Sequence, residues 1–406
     1  MANSILTINM ITREALRLWK NSNAFIQNVT RQYDDQFAQT GAKIGATLRI
    51  RLPNDYVVRD GPAMSIQDTT EQSTTLTVAY QKGVDVSFNT KERTLSMDDY
   101  SERVLAPAIN NTAGAVAQTV MAGVEGGVCN FVSNTSGGAI IAPTQRTYLQ
   151  GGARLDMYST PRMERKVCNS EWTQAEVVSS LAGLFNPQAK ISEQYMSGEM
   201  RGQAIGFDWL MDQTVLSHTS GNFTLTTING ADQTGLTITV AALDVGETLA
   251  TGDIIEIEDT YMVNRITKQS TGKLCQFVVT DDVAAGGTSI PIYPAIVPGV
   301  GGAAVQYQTV VQSPPNGSDV LMVTAASEVY RKNIAFAPEA VTIVTADLVM
   351  PTKGVEEAAR EVYDSVSLRM LTGYIIGTDQ LATRLDVLFG YLWVRPEWAC
   401  VVADAA

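Results

Sequence analysis

Residues Ser96 to Glu125 read SMDDYSERVLAPAINNTAGAVAQTVMAGVE, the longest region of the chain with a clean helical period. Ser96 is placed to cap a first turn, with Asp98 and Asp99 where the first-turn amides and the helix dipole favour negative charge. Pro107 divides the stretch. A proline inside a helix loses a hydrogen bond and clashes with the preceding turn, but it costs little in the first turn of a new helix. The pattern therefore predicts a short helix before Pro107 and a long spine after it. In the spine, Ile109, Ala113, Val116, Val120 and Val124 recur at spacings of four, three, four and four, which makes one apolar stripe. At ~1.5 Å per residue the spine from Pro107 to Glu125 is about 27 Å long. Gly114, Ala115, Ala122 and Gly123 allow close neighbours. Taken alone, this is an ordinary core helix, and Gln118 interrupts its apolar run well short of the ~20 residues a bilayer span needs.

The chain around it has 406 residues, 45% of them hydrophobic, with mean hydropathy close to zero, which predicts a soluble globular protein of two or three domains. Its net charge is −13, from 29 basic and 42 acidic residues. A surface built to neutralise phosphates is not expected from that balance, so nucleic acid is not expected as a direct ligand. The first residues, MANSILTINMITREALRLWK, lack a basic region followed by an apolar core, so no signal peptide is expected. Cys129, Cys168, Cys275 and Cys400 stand far apart without CxxC spacing, as reduced, buried thiols do.

Outward from the spine, Ile11, Ala15, Leu18 and Trp19 form one face of a short N-terminal helix, with Arg13, Glu14, Arg17 and Lys20 opposite, so this arm must dock on something. Thr47–Pro53 and Thr74–Phe88 alternate as half-buried strands. Between them Arg59 to Ser73 is rich in Gly, Pro, Thr, Asp and Gln and cannot form a core, which predicts a long loop carried away from the body. Gly126 to Gly152 reads as a connecting loop. Lys166–Asn169 reads as a strand, and Thr173–Leu184 and Ile191–Met200 read as helices. From about Thr219 to about Val311 there follow only short strands between turn signals: FTLTTI, LTITVAA, IIEIE, TYMVNRIT, LCQFVVT, TSIPIY and AVQYQTVV. Six or seven such strands between two α+β stretches predict a small barrel or sandwich inserted into a parent domain. The parent resumes after Pro314-Pro315-Asn316-Gly317, with strands expected at Val341–Val344, Val366–Met370, Arg384–Leu388 and Trp393–Arg395.

Chemistry is sparse. His218 is the only histidine, beside Ser217 and Thr219, and reads as a loop residue rather than a base or ligand. The pairs Asp34-Asp35, Asp98-Asp99 and Asp281-Asp282 lack the interleaved oxygen ligands and glycine of a calcium loop. Gly299-Val300-Gly301-Gly302-Ala303-Ala304 fits the letter of a dinucleotide fingerprint, but it follows Pro298 within the β region and no helix comes next. No catalytic, cofactor-binding or metal-binding set is expected, and a non-enzymatic protein is the reading.

Five further stretches carry a resemblance. They are NVTRQYDDQFAQTGAKIGATLRIRLP at 28–53, VDVSFNTKERTLSMDDYSERVLAPAI at 84–109, RGQAIGFDWLMD at 201–212, NIAFAPEAVTIV at 333–344 and RLDVLFGYLWVRPEWACVV at 384–402. Together and in this order they resemble the major capsid proteins of tailed bacteriophages with the HK97-type fold, and among them the P22-like coat proteins. The stretch GDIIEIEDTYMVNRITKQSTGKLCQFVV at 252–279 is similar to the inserted I-domain of that subgroup. The resemblance implies an α+β fold with five parts. These are an N-terminal arm (1–36), a P domain with E-loop (about 49–86) and spine (about 107–125) within 37–135, a first part of the A domain (136–220), the inserted all-β, barrel-like domain (221–311), and the rest of the A and P domains (312–406). Between the first two strands of the insert the chain has only NGADQTG, at 229–235, where the subgroup often has a longer loop reaching a neighbouring capsomer.

The resemblance further implies a structural protein without cofactors. Its copies would form pentamers and hexamers of an icosahedral shell enclosing double-stranded DNA. Its partners would be a scaffolding protein and a portal at one vertex, with no membrane. Assembly would occur in the host cytoplasm and the protein would end in the virion. Expected subunit contacts are Arg59, Asp60 and Glu71 at the E-loop tip, with Arg13 and Trp19 on the arm. Two alternatives share parts of this reading. An encapsulin-like cellular shell would have the same arm, loop and spine, and a hydrolase with a β substrate-binding insert would have the same size.

Overall fold

The computed structural model describes residues 8–33, 47–59, 61–62, 64, 66, 71–89, 106–180, 200, 202–301, 303–351, 353–375, 377 and 380–406. Contacts divide the chain into two compact units. The first draws on Met1–Arg51, Ser73–Val120 and Val341–Val394, and the second on Leu52–Gln72, Met121–Ala340 and Arg395–Ala406.

The spine is a helix at Ala106–Gly127, with Pro107 in its first turn, where its missing N–H costs nothing. Ile109, Ala113, Val116, Val120 and Val124 are all buried, as their period predicts. The expected short helix before Pro107 lies outside the described residues.

In the first unit a sheet runs in the order Thr30–Tyr33, Val341–Ala346, Gln380–Trp393, Val366–Ile375, Glu357–Tyr363. Its organising strand is Gln380–Trp393, at 14 residues the longest among the described residues. On one side its beginning pairs with Tyr80–Asn89 and its end with Val341–Ala346. The strand expected from sequence at 384–388 lies within Gln380–Trp393, and of the one expected at 393–395 only Trp393, its last residue, does. The stretch read as a single returning strand at 74–88 is two, Ser73–Thr77 and Tyr80–Asn89. The first closes a hairpin with Thr47–Arg51, and the second belongs to the large sheet. Leu48, Ile50, Leu76 and Val78 make the hairpin's apolar side and pack with Val344, Ala346, Leu388 and Leu392.

At the hairpin's crossing with the sheet, a Cβ built on Gly390 would stand 2.3 Å from the carbonyl oxygen of Thr77. Backbone cannot yield there as a side-chain tip could, so Gly390→Ala should cost about 1–3 kcal/mol. Hydrogen exchange should show Thr47–Arg51 and Ser73–Thr77 deprotected while Ile254–Val263 stays protected. Unchanged exchange in the hairpin would refute the close packing.

The N-terminal helix, Ile8–Ser22, buries Thr12, Ala15, Leu16 and Trp19 within the first unit. Leu16 replaces the expected Leu18, which is only half-buried.

The second unit has a sheet in the order Asn130–Val132, Ala399–Ala405, Val329–Phe336, Lys166–Asn169, Phe207–Met211, Gln203–Ala204. Ser217–Thr219 pairs with the start of Val329–Phe336. The region read as a connecting loop at 126–152 is structured. It holds the end of the spine, the strand Asn130–Val132, a small hairpin of Asn134–Ser136 with Ala139–Ile141, and a helix at Gln145–Met157. The N–H of Thr144 donates to Oγ1 of Thr147 (3.1 Å) where that helix starts, and Tyr148 and Leu155 face Val132, Phe207, Trp209, Cys400 and Val402. A helix at Glu171–Ser180 covers the start of the one expected at 173–184. Its continuation and the one expected at 191–200 lie outside the described residues, apart from 200. All four cysteines are free and buried.

The β region of this unit is an antiparallel barrel, strands ordered Leu225–Thr227, Asp319–Met322, Ile254–Val263, Ser270–Val279, Ser289–Ile296, Gly235–Thr239. The last returns to the first. Ile228 pairs with Val240, the N–H of Asn229 donates to the carbonyl of Thr239 (3.0 Å), and that of Ala241 to the carbonyl of Thr227 (2.8 Å). Ser289–Ile296 alternates outward and inward along its length, sending Ile290, Ile292 and Ile296 into a core with Phe223, Phe277, Val279 and Val320. IIEIE and TYMV are one strand, and no strand forms at AVQYQTVV, where Val310 makes an isolated pairing with Met262. The sixth stave, Asp319–Met322, lies beyond the boundary expected at 311.

Candidate functional site

The polar stretch 52–72 lies within the extended loop that the sequence places at about 49–86, and its first leg is tied down within the second unit. Arg265, from the turn after Ile254–Val263, donates through Nε to both Asp55 oxygens (3.0 and 2.8 Å) and through Nη1 to Oε1 of Glu397 (3.1 Å). Gln306 Nε2 donates to the carbonyl of Asp55 (2.8 Å), and the Tyr307 hydroxyl to Oδ1 of Asn54 (3.0 Å). The hydroxyl of Tyr293 donates to Oε2 of Glu397 (3.2 Å). Lys268 stands 3.8 Å from Asp55, and burial pushes its ammonium pKa down against the pull of that carboxylate. A cavity of about 320 Å³ lies under this leg, lined by Asn54, Tyr56, Tyr158, Arg265 and Trp398, with the Arg395 guanidinium 4.2 Å above the Trp398 ring.

Past the anchor the loop turns apolar residues outward. Tyr56, Val58, Met64 and Ile66 are 59%, 85%, 83% and 81% exposed, an unusual investment of large side chains in a polar segment. Arg59 is exposed and donates through Nη1 to the carbonyl of Gly61, and Glu71 is exposed at the loop's return. Asp60 lies outside the described residues. The two arm candidates belong to the first unit. Arg13 is exposed, with Nε 3.4 Å from Oε1 of Glu361, whereas Trp19 is 5% exposed and packed inside. The sequence thus groups five residues, of which Arg59 and Glu71 share one loop and Arg13 and Trp19 one helix. The short 229–235 loop is closed by Gln233, whose Nε2 donates to the carbonyls of Asn229 (3.0 Å) and Gly230 (3.1 Å).

Sequence reading misses two things here. Arg265 and Asp55 are 210 residues apart, so no local pattern joins them. His218, read as a loop residue, sits in a strand, 5% exposed, with Nε2 2.9 Å from Oδ1 of Asp253 and Nδ1 3.4 Å from Oε1 of Glu125. Lys332 is buried beside them, donating to the carbonyl of Gly252 (3.1 Å). Among the described residues no group of three or more His, Cys, Asp or Glu side chains is arranged to hold a metal ion, and no helix is long and apolar enough to cross a membrane.

No curated protein matches the chain. Among solved structures it is similar to Mycobacterium phage Che8, at 11% identity and TM-score 0.44 over 94% of this chain and 90% of that one. The capsid of cyanophage P-SCSP1u gives 10% identity and TM-score 0.47 over 94% and 88%, and a virus-like particle from Pyrococcus furiosus 8% and 0.42 over 97% and 96%. These likenesses are too distant to carry weight by themselves. The family described as "P22 coat protein - gene protein 5" matches residues 3–402, nearly the full length. With its α+β, HK97-type architecture and β-barrel, the chain belongs to the P22 coat protein family.

Proposed function

We propose that the chain is the major capsid protein of a tailed bacteriophage, a structural protein whose copies assemble as pentamers and hexamers into an icosahedral shell around double-stranded DNA. The observation that carries this reading is the family match over residues 3–402. It favours a phage coat over an encapsulin-like cellular shell. The net charge of −13 agrees, since a wall that neutralised phosphates would hold the genome against packaging and ejection. In this reading a scaffolding protein guides a procapsid in the host cytoplasm, a portal takes one vertex, the shell expands on maturation, and no catalytic step belongs to the chain. Negative-stain microscopy of the purified protein tests it. Closed particles are expected, with DNA inside those from infected cells. A protein that stays monomeric with scaffolding protein present would refute it.

The loop also bears on covalent chemistry between subunits. Lysine is absent from Arg59 to Tyr80, and Lys82 lies in the strand Tyr80–Asn89. Mature shells boiled in detergent should therefore run as single chains, and a ladder of multimers would contradict this.

A further inference from the structure

The barrel is joined to the sheet of the second unit by a neck of two chain passes lying side by side. His218 pairs with Tyr330 and Thr219 with Val329. The N–H of Ser220 donates to the carbonyl of Glu328 (2.9 Å), and that of Ser327 to the carbonyl of Gly221 (3.0 Å). Asp253, fully buried, braces the neck through Oδ2, which accepts from the N–H groups of Gly221 (3.0 Å) and Ala250 (2.7 Å). Its Oδ1 faces His218, whose other ring nitrogen faces Glu125 near the end of the spine.

That geometry fixes the ring's charge. A neutral imidazole has one N–H, so in either tautomer its other nitrogen would turn a lone pair toward a carboxylate oxygen, whereas the imidazolium donates to both. The surroundings agree on charge count. Glu125 approaches from the spine, Asp253 from the barrel, and Lys332 and Tyr330 from Val329–Phe336, with the Lys332 Nζ 5.9 Å from the centre of the Tyr330 ring. Two carboxylates and two cations balance when His218 is charged, and one cation is lacking when it is not. Gly252 is needed where these groups converge. Its φ is +97°, and a Cβ there would stand 2.6 Å from the Lys332 Nζ.

We propose that His218 is a proton-operated clasp at the neck of the barrel: protonated, it ties Asp253 to Glu125, and on losing its proton it releases one of them and the neck loosens.

The pH window follows from the directions of the shifts. Burial works against charge on the ring, but the bonds to Asp253 and Glu125 outweigh it, and the His218 pKa is raised from 6.5. The bond to His218, in turn, holds Glu125 below the ordinary carboxylate value. A folded pKa raised above the unfolded one gives stability that is fully present below about 6.5 and is lost as pH rises through the raised value. Lys332 acts in the opposite sense at higher pH. Burial pushes it down to about 8 against the pull of Glu125 and Asp253, so the folded chain gains stability between there and the ordinary 10.5.

Because His218 is the only histidine, isotope-labelled histidine in the full-length chain gives a single titrating signal. Its midpoint should lie above 6.5 and move down in Glu125→Gln. Exchange protection of the Gly221 and Ala250 amides, corrected for intrinsic rates, should fall as pH rises through that midpoint, by about tenfold for each unit the midpoint stands above 6.5. In His218→Gln that fall should be absent. A midpoint at or below 6.5, or an unchanged pH response in His218→Gln, would overturn the clasp. Should His218→Gln fail to fold, Glu125→Gln decides, because that side chain is partly exposed and the substitution keeps its size. A midpoint that does not move in that variant overturns the proposal equally.

Discussion

A fragment from Gly221 to Glu328 should melt cooperatively and give dispersed amide signals, whereas one ending at Val311 should do neither. The difference is a single stave. Asp319–Met322 lies between Leu225–Thr227 and Ile254–Val263, with three register pairs to each. Ending at Val311 removes the fully buried Val320, worth ~1.5–3 kcal/mol in apolar burial alone. It also strips hydrogen-bond partners from both neighbours, at a net ~0.5–1.5 kcal/mol per bond. A domain of about 100 residues holds only ~5–15 kcal/mol in total, so these losses together consume most of it. Equal melting of the two fragments would show that the barrel does not depend on its closure.

Reversing the charges of Arg59, Asp60 and Glu71 together should leave the monomer's melting temperature nearly unchanged while particle yield collapses. Arg59 and Glu71 are exposed, and surface changes away from special backbone positions usually cost within about 0.5 kcal/mol. The anchor of the loop, Asp55 on Arg265, is left intact. In a shell the same loop, with Val58, Met64 and Ile66 turned outward, would lie against the next copy. A loss of ~1.4 kcal/mol there is tenfold in each association constant, and it recurs at every lattice position. Calorimetry on monomers beside sedimentation of assembly reactions measures both effects. Normal particle formation, or unfolding of the monomer, would refute the loop's role.

What the sequence makes legible is what rests on period. The spine's stripe of Ile109, Ala113, Val116, Val120 and Val124 is visible because one helix face repeats, and the alternating Ile290, Ile292 and Ile296 because one strand face does. The helix Gln145–Met157 escapes notice because Gly151 and Gly152 interrupt it and few of its residues reach the core. Those glycines lie against Val132, Cys400, Val402 and Phe207, so the helix packs there without an apolar side chain of its own. Ala399–Ala405 is buried on both faces, so it shows no alternation to read. Pairings set by tertiary structure leave no local trace. Nothing near His218 announces Glu125 and Asp253, 93 and 35 residues away, and nothing near Asp55 announces Arg265.

The closed circuit of barrel strands has a consequence for a chain that must crowd against copies of itself. An open sheet edge offers a row of unpaired N–H and C=O groups on which any extended segment can add, and such growth is difficult to reverse. The pairing of Ile228 with Val240 leaves the barrel without such an edge. In the first unit the terminal strand Glu357–Tyr363 is packed by the helix Ile8–Ser22, whose Arg13 reaches Glu361. At these two places a copy that meets the chain finds side chains rather than an open backbone ladder, and such contacts break singly. A misplaced copy can then depart and dock again, instead of being locked into a continuous backbone ladder that would carry aggregation from one chain to the next.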